Sequence, residues 1–217
     1  MSRLAQEIKK FQEEFLPQIP VEVQTVMFNA TKKLEDRNIS KDALKLGDRV
    51  KEINLPNALG KEVSVFDTLE DNDFVVISFY RGEWCPYCNF EMKALGEITE
   101  ELNELNTKII AISPQTPDNS LSMKDKHDLK FEVLSDADNK IAKEFGLVFS
   151  LDEELKPLYK QFGIDIESAN GNNSFEIPMP ATYILNKNKE IIFAFVDEDY
   201  TKRCEPQDIL DAINKNN

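Results

Sequence analysis

Three features of this sequence predict an α/β fold with one mixed central sheet and helices on both faces. Phe74–Tyr80 (FVVISFY) is a continuous run of apolar, β-branched and aromatic residues, the kind buried on both faces at the centre of a sheet. A helical stretch follows from Cys88 to about Asn106, with Phe90, Ala94, Leu95, Ile98, Leu102 and Leu105 on one face, and then a second strand, Lys108–Ile112. Strand, helix and strand in that order make a parallel crossover of right hand. The third feature lies near the end of the chain. Ala181–Leu185 and Ile191–Val196 flank the turn residues Asn186–Lys187–Asn188–Lys189, an antiparallel hairpin that makes the sheet mixed.

The other elements fill in around that frame. Leu4, Ile8, Phe11 and Phe15 recur at helix spacing until Pro17 and Pro20 interrupt, and a second stripe runs through Val23, Val26, Met27, Ala30 and Leu34 to about Asn38. Residues 1–45 are therefore expected as an N-terminal helical extension, a hairpin that covers part of the sheet or makes a dimer contact. The main domain, 46–217, begins near Leu46–Gly47–Asp48. A β-hairpin is expected within 50–66, turning at Pro56–Gly60. After Pro114–Gln115–Thr116–Pro117 come a helix to about His127, a short edge strand at Phe131–Leu134 and a helix at Asp138–Phe145. Residues 150–177 read as irregular, with a surface loop at Ser168–Ser174. A helix from Glu205 to Ile213, with Pro206 in its first turn, closes the chain.

Composition narrows the function. The 217 residues, 41% apolar and 30% charged, suit one ordinary globular core. Twenty-six Lys and Arg against 40 Asp and Glu leave a net charge of −14, which repels phosphate backbones, so no nucleic-acid partner is expected. No apolar leader or membrane-length run is visible, so the chain reads as soluble and cytoplasmic, with no membrane partner. Three cysteines, two of them three residues apart, suit redox chemistry in a reducing compartment better than a secreted framework.

Cys85–Pro86–Tyr87–Cys88 stands where the central strand gives way to a long helix. Unpaired N–H groups and the positive helix end stabilise a thiolate there. The position also lies outside the C-terminal end of a parallel strand, where α/β sheets bind ligands. Cys85 is expected as the attacking thiolate and Cys88 as the thiol that displaces whatever Cys85 has bound. Arg81 adds positive potential, Trp84 packs against the site as lid or platform, and Tyr87 is placed to meet a partner. A zinc site lacks ligands at metal spacing, since only His127 and Cys204 remain. His127 reads as a partly exposed helix-terminal residue and Cys204 as a bystander thiol. Pro180, ninety-five residues after Cys85 and directly before a strand, is expected to follow a cis peptide that holds backbone beside the cysteines.

Phe79–Tyr80–Arg81–Gly82–Glu83–Trp84–Cys85–Pro86–Tyr87–Cys88 resembles the alkyl hydroperoxide reductase/thiol-specific antioxidant (AhpC/TSA) family, in its peroxiredoxin-like branch with a thioredoxin-type CxxC. Leu55–Gly60, Ile112–Pro117, Leu134–Asp136 and Pro180–Leu185 resemble that family's recurring segments, so the likeness runs from about Leu46 onward. It implies a thioredoxin-like fold in which 46–217 form the redox domain. Cys85 matches the peroxidatic cysteine and Cys88 the thioredoxin resolving cysteine. Matched from Cys85, the family's PxxxTxxC pattern has Gly82 at its Thr and Ser78 at its Pro, and the family's arginine falls at Pro180. Arg81 and Arg203 are the cations left for that role. The resemblance implies a thiol-dependent peroxidase for hydrogen peroxide or organic hydroperoxides, recycled by a thioredoxin-like or glutathione-type thiol reductant, with no cofactor. The alternative is a dithiol–disulfide oxidoreductase using the same two cysteines on a disulfide substrate. Self-association as a homodimer through the apolar residues of Leu4–Phe15 is a further expectation.

Overall fold

The computed structural model describes residues 3–217. In chain order the elements are α1 (Arg3–Phe15), α2 (Val21–Arg37), β1 (Asn54–Pro56), β2 (Glu62–Ser64), α3 (Val65–Asp71), β3 (Phe74–Phe79), α4 (Pro86–Glu97), α5 (Thr99–Glu104), β4 (Thr107–Ser113) and α6 (Pro117–Lys126). They continue with β5 (Glu132–Ser135), α7 (Lys140–Glu144), β6 (Val148–Ser150), α8 (Leu155–Gln161), α9 (Ile166–Asn170), β7 (Glu176–Pro178), β8 (Ala181–Asn186), β9 (Ile191–Val196) and α10 (Pro206–Asn216).

Five strands form the main sheet in the order β5-β4-β3-β8-β9. The neighbours β3/β4 and β4/β5 run parallel, while β3/β8 and β8/β9 run antiparallel. β3 is buried along its whole length, as a central strand must be. Its alternate residues feed two cores. Phe74 and Val76 join Met92, Leu95, Met123 and Ile209 on one face; Val75, Ile77 and Phe79 join Leu69, Ile141 and Phe145 on the other. Helices thus cover both faces, as predicted. The edge strand β5 is partly closed by the β1–β2 hairpin, where the Ala58 N–H donates to the Val133 carbonyl.

Both N-terminal helices lie on the rest of the molecule. α1 packs against α4 and buries Leu4 and Ile8; α2 packs against α8 around Ala30, Leu155 and Tyr159. No helix among the described residues is long and apolar enough to cross a membrane.

The local differences from expectation have visible causes. The helix expected from Cys88 to Asn106 is two helices broken at Ile98 (φ −101°, ψ 2°). There Gly96 lowers helix propensity, and the Ile98 N–H and the Thr99 hydroxyl both turn to the Leu95 carbonyl. The helix expected from Asp138 begins at Lys140, because Asp138 and Asn139 take left-handed backbone and Asp136 caps the Ile141 and Ala142 N–H groups. Residues 150–177 are more regular than expected. Asp165 caps α9 through the Ser168 N–H, so the first part of the expected Ser168–Ser174 loop is helical.

The Met179–Pro180 peptide, expected to be cis, is trans, and no peptide among the described residues is cis. The chain is already extended there. The Met179 N–H donates to the Leu147 carbonyl at 2.8 Å at the end of the β6–β7 ribbon, and Ala181 then stands opposite Phe79 in the main sheet.

Candidate active site

The polypeptide leaves β3 at Phe79 and turns through Tyr80–Trp84 into α4. Cys85 is the N-cap of α4 (φ −92°, ψ 114°), and Pro86 fills the first helical position, where its missing N–H costs nothing. The Asn89 side chain braces this turn by donating to the carbonyls of Glu83 (2.7 Å) and Cys85 (2.8 Å), and its oxygen lies 2.8 Å from His127 Nε2. His127 therefore supports the loop from the end of α6. Gly82 is required by space. A Cβ there would stand 2.3 Å from Trp84 Nε1, and its φ of +153° disfavours any side chain.

Cys85 and Cys88 are free thiols, 1% and 0% exposed. Cys85 lines a cavity of about 760 Å³, and Cys88 does not. Two donors converge on the Cys88 sulfur: the Arg81 backbone N–H and Arg203 Nη2, each at 3.4 Å. Arg203 is itself held by Glu91, one turn beyond Cys88 on α4. Nε and Oε2 are 2.8 Å apart, with both side chains almost wholly buried. Ser78 and Thr182 hydroxyls, at 3.3 and 3.5 Å, donate to the other carboxylate oxygen.

Burial pushes the Cys85 thiol up, but the hydrogen bond shared with Cys88 and the charges of Arg81 and Arg203 outweigh it and bring the thiol down to about 5. Burial and the adjacent Cys85 drive Cys88 well above the ordinary thiol value, so the pair carries one thiolate between two sulfurs. Burial lifts the Glu91 carboxyl to about 7 against the pull of Arg203.

The Arg81 guanidinium is sandwiched among aromatic rings, 4.3 Å from the Tyr200 centroid, 5.0 Å from Trp84 and 5.9 Å from Tyr159. Its Nη2 donates to the Tyr159 hydroxyl at 2.5 Å. Tyr159 reaches the site from α8 and meets Trp84 at 5.6 Å between centroids. Arg81, Trp84, Tyr87 and Tyr159 all line the cavity with Cys85.

The structure thus brings Arg81, Trp84, Cys85, Tyr87 and Cys88 together. Tyr87 is largely buried, edge-on to Phe11 of α1 and to Tyr200 at 5.7 and 5.5 Å, so its ring partners come from this same chain. Pro180 is buried and does not line the cavity. Cys204 is buried in the core, and burial pushes its thiol up. Glu91 and Tyr159 went unrecognised in the sequence. Glu91 left one signal, an acid on the buried face of α4; Tyr159 left none, since it sits in a short helix hidden within an irregular segment.

Comparison with known proteins agrees with this architecture. Peroxiredoxin Bcp of Escherichia coli K12 is 28% identical over 104 residues, 48% of this chain, and the match spans 65% of that relative's length. A 1-Cys peroxiredoxin of Dictyostelium discoideum is 25% identical over 177 residues, covering 78% of this chain and 71% of the relative. Among solved structures, peroxidoxin BcpB of Mycobacterium tuberculosis superposes with a TM-score of 0.62 at 18% identity, over 79% of this chain and 97% of that one. A peroxiredoxin-like protein of Aquifex aeolicus gives 0.62 at 16% identity, over 80% and 88%. The fold is thioredoxin-like. Residues 46–194, well over half of the sequence and including the whole turn from β3 through Cys88, match the AhpC/TSA family, and the chain belongs to it.

Proposed function

We propose that the chain is a thiol-dependent peroxidase that reduces hydrogen peroxide or organic hydroperoxides with Cys85 as nucleophile and Cys88 as resolving thiol. The observation that carries this reading is Cys85 lining a cavity, on a helix N-cap, within the field of two buried arginines. The Cys85 thiolate attacks the distal peroxide oxygen. An S–O bond forms, the O–O bond breaks, sulfur is oxidised by two electrons and the leaving oxygen departs as an alkoxide or hydroxide. Arg81 and the Tyr159 hydroxyl it holds stand in the same cavity, where they offset the developing negative charge and supply the proton that makes the leaving group neutral. The Cys88 thiol then attacks the sulfenic sulfur, an S–S bond forms and water leaves. Here the Arg81 N–H and Arg203 assist by stabilising the Cys88 thiolate. An external dithiol returns two electrons by thiol–disulfide exchange.

The convergence of both donors on Cys88 favours a second assignment, in which the two sulfurs exchange roles. Counted back from Cys88, the PxxxTxxC pattern places Cys85 at its Thr and Arg81 at its Pro. A disulfide oxidoreductase would use the same thiols, but the backbone that would align an extended substrate is engaged, since the Met179 N–H bonds Leu147.

The test is stopped-flow fluorescence of Trp84, the sole tryptophan, on mixing reduced protein with hydrogen peroxide. The proposal expects a second-order rate far above that of a free thiolate, abolished in Cys85→Ser, with sulfenic acid trapped on Cys85 in Cys88→Ser. Sulfenic acid on Cys88 in Cys85→Ser would exchange the roles. A rate no better than a free thiolate of equal pKa would overturn the peroxidase reading and favour a disulfide substrate.

A further inference from the structure

We propose that the N-terminal helices, which precede the family-matched region, build a substrate site over Cys85 for a large uncharged apolar hydroperoxide, an aryl or esterified acyl chain bearing –OOH, in preference to hydrogen peroxide. The inference rests on the peroxidase reading above and specifies its substrate.

Size is the first argument. A cavity of about 760 Å³ lies over Cys85. Hydrogen peroxide is little larger than a water, which occupies about 30 Å³ in the liquid. The cavity instead falls within the range of roughly 300–1,000 Å³ that holds a drug-sized organic ligand. Its wall opposite the CxxC comes from Phe11 and Phe15 of α1, Leu16 of the following turn, and Val21, Met27 and Phe28 of α2.

The second argument is where this protein exposes apolar surface. Six large apolar side chains are well exposed among the described residues, and four of them line this one cavity: Leu16 (37%), Val21 (71%), Phe28 (66%) and Phe162 (40%). Such clustering is what a ligand mouth looks like, whereas scattered single residues would carry no meaning. Arg81 and Tyr159 line the cavity with Cys85, where the reacting end must go, while Gln12, Gln24, Thr25 and Thr31 stand among the apolar lining residues of α1 and α2.

The third argument is charge. The remaining charged lining residues are Lys32, Glu35 and Asp199, and Lys32 already pairs with Asp36 at 3.1 Å. With a net charge of −14 around it, this mouth disfavours a free carboxylate. An uncharged hydroperoxide meets no such barrier.

The experiment uses the full-length reduced protein and Trp84 stopped flow with four oxidants: hydrogen peroxide, cumene hydroperoxide, and the methyl ester and free acid of a long-chain fatty hydroperoxide. Each rate is divided by that of free cysteine thiolate with the same oxidant, which removes intrinsic reactivity. Burying one methylene is worth roughly fourfold, so two or three already give a preference above about tenfold. The expected result is that preference for cumene hydroperoxide and the ester, a weaker one for the free acid, and a fall of about tenfold in the ratio to hydrogen peroxide in Val21→Gln/Phe28→Gln. Both positions are exposed, so the fold is not at stake. Fast but equal normalised rates would overturn this inference and leave the peroxidase reading intact. Uniformly slow rates would overturn both. A dimer in sedimentation that the double variant dissociates, with no apolar preference, would assign the mouth to a second copy of the chain and overturn the proposal.

Discussion

Replacing Arg203 with Met separates the electrostatic role of this residue from its structural one. Its guanidinium is buried between the Glu91 carboxylate, 2.8 Å from Nε, and the Cys88 sulfur, 3.4 Å from Nη2. A unit charge at that distance is worth roughly 5 kcal/mol at an effective dielectric of about 20. Only part of this would show in a thiol titration. The thiolate is shared with Cys85, and Glu91, already lifted to about 7, takes up a proton once its counter-charge is gone. The expected result is a rise of about one to two pKa units in the first thiol ionisation, about 1.4 kcal/mol each. Unfolding should become easier by roughly 3 kcal/mol, the low end for a broken buried pair because Glu91 can neutralise itself. Iodoacetamide alkylation of Cys85 against pH reads the first quantity and urea denaturation of reduced protein the second. Arg203→Met/Glu91→Gln completes the test. A Gln amide oxygen can still accept from Ser78 and Thr182, so the double variant should recover part of the stability while its alkylation midpoint stays high. An unchanged midpoint in Arg203→Met, or a midpoint that returns together with stability in the double variant, would refute an electrostatic action of Arg203 on the cysteine pair.

Other perturbations test neighbouring parts of the same account. Tyr159→Phe keeps the ring that packs on Trp84 but removes the hydroxyl held by Arg81; the rate with peroxide should fall about a hundredfold with the thiol ionisation little changed, as read by stopped flow and alkylation. Gly82→Ala forces a Cβ against the Trp84 indole and should cost about 2 kcal/mol in urea melts while shifting Trp84 emission. At Gly146 (φ +69°) a Cβ would lie 2.1 Å from the Asp42 carbonyl, so Gly146→Ala should cost about 3 kcal/mol and expose 1–45 to limited proteolysis. The pH dependence of the reduced protein has a worked sign. Cys85 is depressed from the ordinary thiol value, so its contribution is full above about 9 and lost as pH falls through about 5. The stability gap between the native sequence and Cys85→Ser should therefore widen as pH rises across that window in thermal melts, and a narrowing gap would contradict a stabilised thiolate. Glu91, raised in the fold, acts oppositely: its contribution is present below about 4.5 and lost as pH rises through about 7.

What could be seen in the sequence divides along the range of the forces involved. Phe74–Tyr80, the Ala181–Val196 hairpin and the strand–CxxC–helix junction are legible because each is fixed by neighbours in the chain: apolar runs, turn residues, and a proline at a helix start. The helix break at Ile98 and the short α9 were missed because each is decided by a single local competitor, a Thr hydroxyl or an Asp cap, and α8 spans only seven residues, too brief to leave a period. The backbone around the trans Met179–Pro180 peptide is tied to Leu147 and to β3, partners distant in sequence that no local pattern announces.

The arginine question shows how the remaining part of the site could have been inferred. On α4 the buried face runs Cys88, Glu91, Met92, Leu95, three of them sulfur-bearing or aliphatic and one a carboxylate. An acid at i+3 from a cysteine on an otherwise apolar helix face is too costly to bury alone, so the fold must bring a cation to it. Of Arg81 and Arg203, Arg81 precedes the helix within a run of aromatic residues suited to stacking. Arg203 was thus the better partner for Glu91 on elementary grounds, and a cation drawn to Glu91 necessarily stands one turn from Cys88. The buried carboxylate therefore acts as an anchor that places a positive charge beside the sulfur, which is why the effect of Arg203 on thiol ionisation and the protonation state of Glu91 must be measured together.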